Sequence, residues 1–407
     1  MAGRNDYIAS IDIGTDKIAV LVAEKEDDVR LRIIGHNISP SDGVRRGSIS
    51  AIDSLSRAIS KAVDQTQKSF DLEIGLVRVN LSDTHLTCID GNGKIPINEI
   101  VTTDDVDKVL ESASAITTPT NKEKLHTIKK KFIINGDHIV DNPKDMEAEV
   151  LESKVHIVTV SSASVRNIEN CLKQCDLMVD RIVLDSIANS EAMLTQEEKD
   201  GGVCLIDFGA GVTSYSVFQE EGIVRSGIIP MGGDDVTQEV AFAFDTSFEE
   251  AKRLKEDYGY AKSSAIKGEQ FVEFVQVTNK DSHQLSNLQL SEVIEETYVD
   301  ILLTLKNELR YHNLETNIKS GFVLCGGGAQ ALGFEELVRK FFTRRVKKGV
   351  VQRDRISGLE TILMDYRYAS SIGLLLHQED LPQTDFVRLK GRNGVIGRIK
   401  KVLVGNF

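Results

Sequence analysis

Apolar and polar positions alternate along the chain in two rhythms. The runs Tyr7–Ser10, Ile18–Val22 and Val203–Ile206 are largely unbroken by charge and bounded by Asp and Gly, as expected of strands covered on both faces. A further strand is expected at Leu31–Gly35. From about Ser50 the period changes, with Ile52, Leu55, Ile59 and Val63 on one helical face and Ser50 or Asp53 as candidate caps. Ile74–Leu81 alternates like a strand. The opening unit therefore reads β-β-β-α-β.

Residues 82–154 break this order. A Gly91-Asn92-Gly93 turn, a helix over Thr103–Ser114 and strands around Lys129–Ile134 and Glu147–Val150 predict an inserted α+β subdomain. Val155–Val160 is expected to resume the core sheet. A helix from Ser164 to about Cys175, the strand Val179–Leu184 and a helix opening at Asp185 follow. Asp200-Gly201-Gly202 reads as a hinge into a second copy of the unit. Its later strand is Val224–Pro230, and Met231–Asp235 caps a helix bearing Val236, Val240 and Phe244. Helical periodicity at Phe248–Tyr258 and Ser291–Asn313, around a strand-like Phe271–Val277, predicts a second insertion. Strand Gly321–Cys325 leads to Gly326-Gly327-Gly328 and a helix through Phe334, Leu337 and Phe341. A cluster of cations (Arg344, Arg345, Lys347, Lys348) comes next, and Tyr366–Leu376 closes the body. The expected division is one lobe from 6–81, 155–199 and 365–377, and another from 200–233 and 320–364. Insertions occupy 82–154 and 234–319, a linker 378–390, and a terminal segment 391–407.

Candidate chemistry lies in the turns. Ile11-Asp12-Ile13-Gly14-Thr15 and Ile206-Asp207-Phe208-Gly209-Ala210-Gly211-Val212-Thr213 both place an Asp at a strand end before a small-residue turn. Such turns let backbone N–H groups approach a phosphate. Two copies nearly two hundred residues apart suggest duplicated, facing phosphate loops. Asp12 and Asp207 would then share one cleft and position Mg²⁺ through water, while Thr15 and Lys17 add a hydroxyl and a cation. Gly326, Gly327 and Gly328 would offer bare backbone to a base and ribose.

Composition narrows the class. At 407 residues, with 41% hydrophobic content, the chain predicts more than one globular core. No run is long enough to span a bilayer and the N-terminus lacks a signal-peptide core, so a cytoplasmic location is expected. Five cysteines without a completing metal-ligand pattern read as reduced structural thiols. Net charge is −13, which argues against a nucleic-acid partner. Yet Phe386–Phe407 carries six basic and no acidic residues, leaving the rest more acidic still. On a helix, Val395, Ile396, Ile399, Val402, Leu403 and Phe407 share one face within an arc of about 140°, with Arg398, Lys400 and Lys401 at its edges or opposite. This predicts an amphipathic segment that lies on an anionic membrane.

The three glycine turns, in this order, resemble the actin/heat-shock-chaperone/sugar-kinase superfamily. That resemblance implies an α/β, two-lobed actin-like ATPase fold of duplicated ribonuclease-H-like domains with inserted subdomains. An insertion after Leu81 rather than earlier, followed by Lys154-Val155-His156-Ile157-Val158-Thr159, resembles the bacterial FtsA family. So do Asn80-Leu81-Ser82-Asp83-Thr84-His85, Gly93-Lys94-Ile95-Pro96-Ile97, Asp185-Ser186-Ile187-Ala188-Asn189-Ser190, Asp245–Ala251 and Tyr368–Leu375. The resemblance implies a protein that binds ATP with Mg²⁺ and tethers the tubulin-like FtsZ to the inner membrane at the division site. It also implies self-assembly into filaments and recruitment of later division proteins. Residues 234–319 would take the C-terminal peptide of FtsZ, and residues 82–154 would serve self-association and recruitment. Asp12, Gly14, Thr15 and Lys17 match the first phosphate loop; Asp207, Gly209, Ala210, Gly211, Val212 and Thr213 the second; Gly326–Gly328 the adenosine loop. Ser214 departs from the family's frequent Asp, which implies slow hydrolysis. Asp185 stands where many relatives have Glu, either orienting a water or acting as a helix N-cap. A small-molecule kinase on the same fold is the alternative function, but no base for a substrate pocket is evident.

Overall fold

The computed structural model describes residues 7–27, 29–278 and 280–377. Two sheets carry the architecture. In the first, the strands run in spatial order Met178–Leu184, Leu76–Leu81, Tyr7–Ile13, Lys17–Lys25, Leu31–Pro40 and Ile356–Ser357. In the second, the order is Gly222–Ile229, Thr213–Gln219, Val203–Phe208, Gly321–Cys325 and Val346–Lys348. Each contains an antiparallel meander whose first strand pairs parallel with a later one: Ile11 with Val79 in one sheet, Leu205 with Val323 in the other. The predicted duplication is therefore a repeated topology. The two turns share a detail too, since Gly14 N–H donates to Lys17 O at 2.9 Å and Gly209 N–H to Val212 O at 3.0 Å.

Between the sheets runs the helix Asp185–Met193, buried along nearly its whole length. Ile187, Ala188, Ala192 and Met193 are buried in it, while Asp185, Asn189 and Glu191 find hydrogen-bond or ion-pair partners on neighbouring elements. The closing helix Ala369–Leu376 packs against it so closely that a Cβ at Gly373 would sit 1.8 Å from Ala188 O. Helix Ile52–Phe70 buries Leu55, Ile59 and Val63 on the first sheet as its periodicity predicts, starting from Ala51 with no side-chain cap.

The first insertion differs from expectation in two ways. Thr87–Pro96 is one strand, so Gly91-Asn92-Gly93 is not a turn. Its glycines admit helix Thr103–Ser114 instead: a Cβ at Gly91 would lie 1.9 Å from Ala113 O, and one at Gly93 2.1 Å from Val109 O. Val155–Val160 does not resume the core sheet. It is the second half of the continuous strand Val150–Ser161, which pairs with Thr87–Pro96 and Lys122–Ile134. Sequence apolarity alone does not say which sheet a buried strand joins. At the far end, Ile356 pairs with Leu31, and Val351, Ile362 and Leu363 join the first-lobe core, so the chain returns to that lobe before residue 364.

The second insertion holds helices Gly233–Ala243 and Phe248–Tyr258, a hairpin of Phe271–Val275 with Ser282–Ser286, and the long helix Asn287–Tyr311. No helix among the described residues is long and apolar enough to cross a membrane. The expected linker and amphipathic tail, 378–407, lie outside the described residues.

The strand–helix approach is testable. Gly91→Val should lower the denaturant midpoint by roughly 2 kcal/mol of stability or more, as overpacking does. Gly75→Ala, which meets nothing within 4 Å, should leave it unchanged. Equal midpoints for the two variants would show that the helix does not rest on this strand.

Candidate functional site

The two Asp-ended strands bring their turns together. A Cβ at Gly211 would fall 2.5 Å from Thr15 Oγ1 and 2.9 Å from Arg46 Cα, so the loops from the two lobes face each other directly. Around this contact three carboxylates converge. Asp12 accepts from Lys17 Nζ at 2.7 Å and from Asn80 Nδ2 at 2.8 Å. Asp185 accepts from Asn80 Nδ2 at 2.6 Å and from the Ser82 hydroxyl. Asp207 accepts from Asn189 Nδ2 at 2.9 Å.

Electrostatics follow from that crowding. Burial, reinforced by the Asp12 charge, holds the Asp185 carboxyl well above the usual carboxylate range. Burial and then Asp12 push Asp207 up to about 6, against a partial offset from Lys17 and Asn189. One lysine and two amides thus face three acidic groups. Directly across the ladder from Asp207 stands Ser214, whose buried hydroxyl has no protein partner among the described residues. This donor set has an unmet need for positive charge and polar contact, which fits a cation with its water shell and a polyphosphate.

Asp185 is not an N-cap. Leu184 occupies that position, and Asp185 is the first helical residue with its carboxylate turned to Asn80 and Ser82. Gly326 has φ +83°, and a Cβ there would strike Asp207 Oδ1 at 2.1 Å, so glycine is required on steric grounds. Gly327 meets nothing within 4 Å and faces open space, whereas Gly328 lies against Phe208. Ala210 O and Gly209 O receive Asp234 N–H at 2.8 Å and Gly233 N–H at 3.0 Å, which ties the second loop to the following helix. Thr213 is buried and donates to Met231 O at 2.9 Å, so its hydroxyl braces the loop from behind.

Five contributors escaped the sequence reading. Asn80 and Asn189 link the carboxylates, and Asn80 also receives Ile13 N–H on its Oδ1 at 2.6 Å. Asn80 lies on the strand equivalent to Gly321–Cys325, so the internal repeat was the signal that marked it. Arg46 pairs with Asp235 at 2.7 Å, and Lys252 with Asp16 at 2.5 Å; both bridge the first lobe to the second insertion across the front of the cleft. Lys255 donates to Gly233 O at 2.8 Å and Thr237 Oγ1 at 2.6 Å, and burial pushes its ammonium below the ordinary lysine range. No periodicity marks such contacts.

Comparison with known proteins agrees with this geometry. Over 91% of the chain the fold is similar to a PilM–PilN type IV pilus biogenesis complex, with a TM-score of 0.61 at 13% identity and 97% of that chain covered. It is also similar to MreB5 of Spiroplasma citri bound to ADP, with a TM-score of 0.53 at 11% identity over 91% of this chain and 94% of that one. These likenesses place it among actin-like folds. Residues 204–373 match the family described as cell division protein FtsA, and residues 84–159 match the SHS2 domain inserted in FtsA. The cell division protein FtsA of Pseudomonas aeruginosa is 31% identical over 410 residues, covering 98% of both chains. That of Neisseria meningitidis is 30% identical over 416 residues, covering 100% of both. With a repeated actin-like topology, an SHS2 insertion in place and full-length relatives at this identity, the chain belongs to the FtsA family of cell division proteins.

Proposed function

We propose that this protein binds ATP with Mg²⁺ between its lobes and uses the bound state to assemble with copies of itself, hold FtsZ and rest on the membrane. The observation that carries the nucleotide reading is the convergence of Asp12, Asp185 and Asp207 between two facing glycine turns. Gly14, Thr15 and Lys17 on one side, and Gly209–Thr213 on the other, would hold the phosphates. Gly326–Gly328 would line the nucleoside slot. Mg²⁺ takes one or two carboxylates and completes its shell with water and phosphate oxygens; Asp12 and Asp207 suit that role. The ion supplies charge neutralisation at the phosphates.

Turnover is expected to be slow. Ser214 offers no carboxylate, and Asp185, the remaining candidate to orient a water, lies buried where desolvation and the Asp12 charge raise its pKa well above the usual carboxylate range, which weakens it as a base. A small-molecule kinase is not favoured, because the family is that of a division protein and no separate substrate base lines the cleft.

The partner roles rest on membership of the family. The second insertion, 234–319, takes the C-terminal peptide of FtsZ, and the first serves self-association and recruitment of later division proteins. The tail, 391–407, holds the protein peripherally on the cytoplasmic face of the inner membrane. Its apolar face and its four cations, Arg392, Arg398, Lys400 and Lys401, each contributing about 1 kcal/mol near an anionic surface, supply the attachment. Assembly multiplies it by placing many tails on one surface.

Three measurements test this reading. Mg-ATP binding requires the Asp207 carboxylate, so affinity should fall as pH drops through about 6 and binding should release protons. Because the pKa is raised from 3.8, this group favours the empty fold most below 3.8, and that contribution is lost as pH rises through about 6. Asp207→Asn should therefore stabilise the empty protein at pH 7.5 by up to about 3 kcal/mol while weakening Mg-ATP binding; Gly327→Leu should block nucleotide by filling the slot. Calorimetry showing wild-type affinity in both variants would remove the assignment. Deleting the FtsZ terminal peptide should abolish pull-down at physiological salt, and retained binding would refute the docking mode. Ile399→Glu with Leu403→Glu should free the protein from anionic vesicles with nucleotide binding intact; continued pelleting would refute the anchor.

A further inference from the structure

The nucleotide cleft occupies one end of the sheets, and the opposite end has a different character. In the second-lobe sheet, parallel strands start at Val203, Gly321 and Val346 and end at the cleft near Asp207 and Gly326. At their starting ends lie Lys319, two residues before Gly321, and Arg344 and Arg345, just before Val346. A Cβ at Gly321 would be 2.3 Å from Arg345 O, which fixes these segments side by side. Helix Phe334–Phe342 runs from the cleft, where Phe334 packs on Phe208, to this same end, where Phe342 stacks on Phe322 with ring centres 4.3 Å apart. That brings Lys340 alongside.

Lys319, Lys340, Arg344 and Arg345 are all exposed. None of the four forms an ion pair among the described residues, whereas nearby Lys347 and Arg339 are matched by Glu198 and Glu335. Three neighbouring acids are already engaged: Glu315 by Arg310 at 2.7 Å, Asp200 by Lys131 at 3.0 Å and Glu336 by Lys262 at 2.8 Å. On a chain of net charge −13, four unmatched cations on one rim are a charge the fold does not use.

The chain leaves the described body at this same end. Arg78, toward the start of strand Leu76–Leu81 and away from its cleft-side Asn80, donates to His377 O at 3.0 Å. Leu376 O accepts from Arg355 at 2.5 Å; Arg355 pairs with Glu191 at 3.0 Å, and Glu191 with Lys199 at 3.1 Å. Lys199 belongs to helix Gln196–Gly201, after which Gly202 O accepts Ser320 N–H at 2.7 Å, next to Lys319. A continuous set of contacts thus joins the exit point to the basic rim.

We infer that Lys319, Lys340, Arg344 and Arg345 form an electrostatic footprint that seats the body itself on an anionic bilayer, with the nucleotide cleft turned away from the lipid. The identity of the partner rests on the membrane reading of the tail; the footprint rests on the body alone. An acidic body is repelled by an anionic surface in most orientations, and this rim is the face on which it is attracted. The interaction selects one orientation and leaves the cleft accessible to nucleotide.

The test uses the full chain and vesicles of phosphatidylglycerol mixed with phosphatidylcholine, against phosphatidylcholine alone. The variant Lys319→Gln, Lys340→Gln, Arg344→Gln, Arg345→Gln changes only exposed side chains, and unaltered nucleotide binding reports that it is folded. Each cation near such a surface contributes roughly fivefold in affinity, so binding to the anionic vesicles should fall at least tenfold. The loss should shrink as salt is raised. In the wild type, amide exchange over 340–346 should slow on anionic vesicles. Wild-type affinity of the quadruple variant, an equal loss on neutral vesicles, or unprotected amides would overturn the footprint. The tail variant Ile399→Glu with Leu403→Glu, run in parallel, separates the two readings. If it alone loses binding, the tail stands and the footprint falls. If only the quadruple variant loses binding, the footprint stands and the tail reading fails.

Discussion

The mutual burial of Asp12, Asp185 and Asp207 is the constraint on which the rest of the cleft depends. Three carboxylates removed from water beside one another are costly. The fold offsets that cost only in part, with Lys17 on Asp12, Asn80 shared between Asp12 and Asp185, and Asn189 on Asp207. Each of these supports comes from a different element, so the arrangement holds only when both lobes are in register. The acidic charge left unbalanced there is what the proposed Mg-nucleotide would neutralise.

Helix Asp185–Met193 makes that register possible. It contributes Asp185 and Asn189 to the cleft at one end and Glu191 to the Arg355–Lys199 network toward the other. Gly373 lets the closing helix lie against it at backbone distance. The first insertion adds a second link between lobes. It leaves the chain from the first lobe yet meets the second: Lys154 pairs with Glu221 at 3.0 Å and Cys88 donates to Ser226 O at 3.2 Å. Partly exposed ion pairs of this kind contribute little each, so the seam guides orientation more than it adds stability.

The second-lobe sheet has a charge asymmetry along its strands. Glycine turns and buried acids gather where the parallel strands end, and exposed cations gather where they begin. The first follows from strand–turn chemistry repeated in both halves. The second follows from short connections that bring Lys319, Lys340 and Arg344 to one rim.

Local chemistry, and hence the sequence, determined the two Asp–turn hairpins, the glycine turn at 326–328 and the β-β-β-α-β unit. Strand apolarity and turn composition act within a few residues, so they are legible one segment at a time, and the repeat made them decisive. Tertiary structure alone decided which sheet Val155–Val160 joins and where the chain recrosses to the first lobe. It made Gly91 and Gly93 a landing place for a helix, and gave Asp185 a carboxylate facing Asn80 and Ser82 in place of a capping role. It also brought in Asn80, Asn189, Arg46 and Lys255, whose partners lie far away along the chain. Such contacts depend on through-space distance between elements, and no periodicity along the sequence encodes that distance.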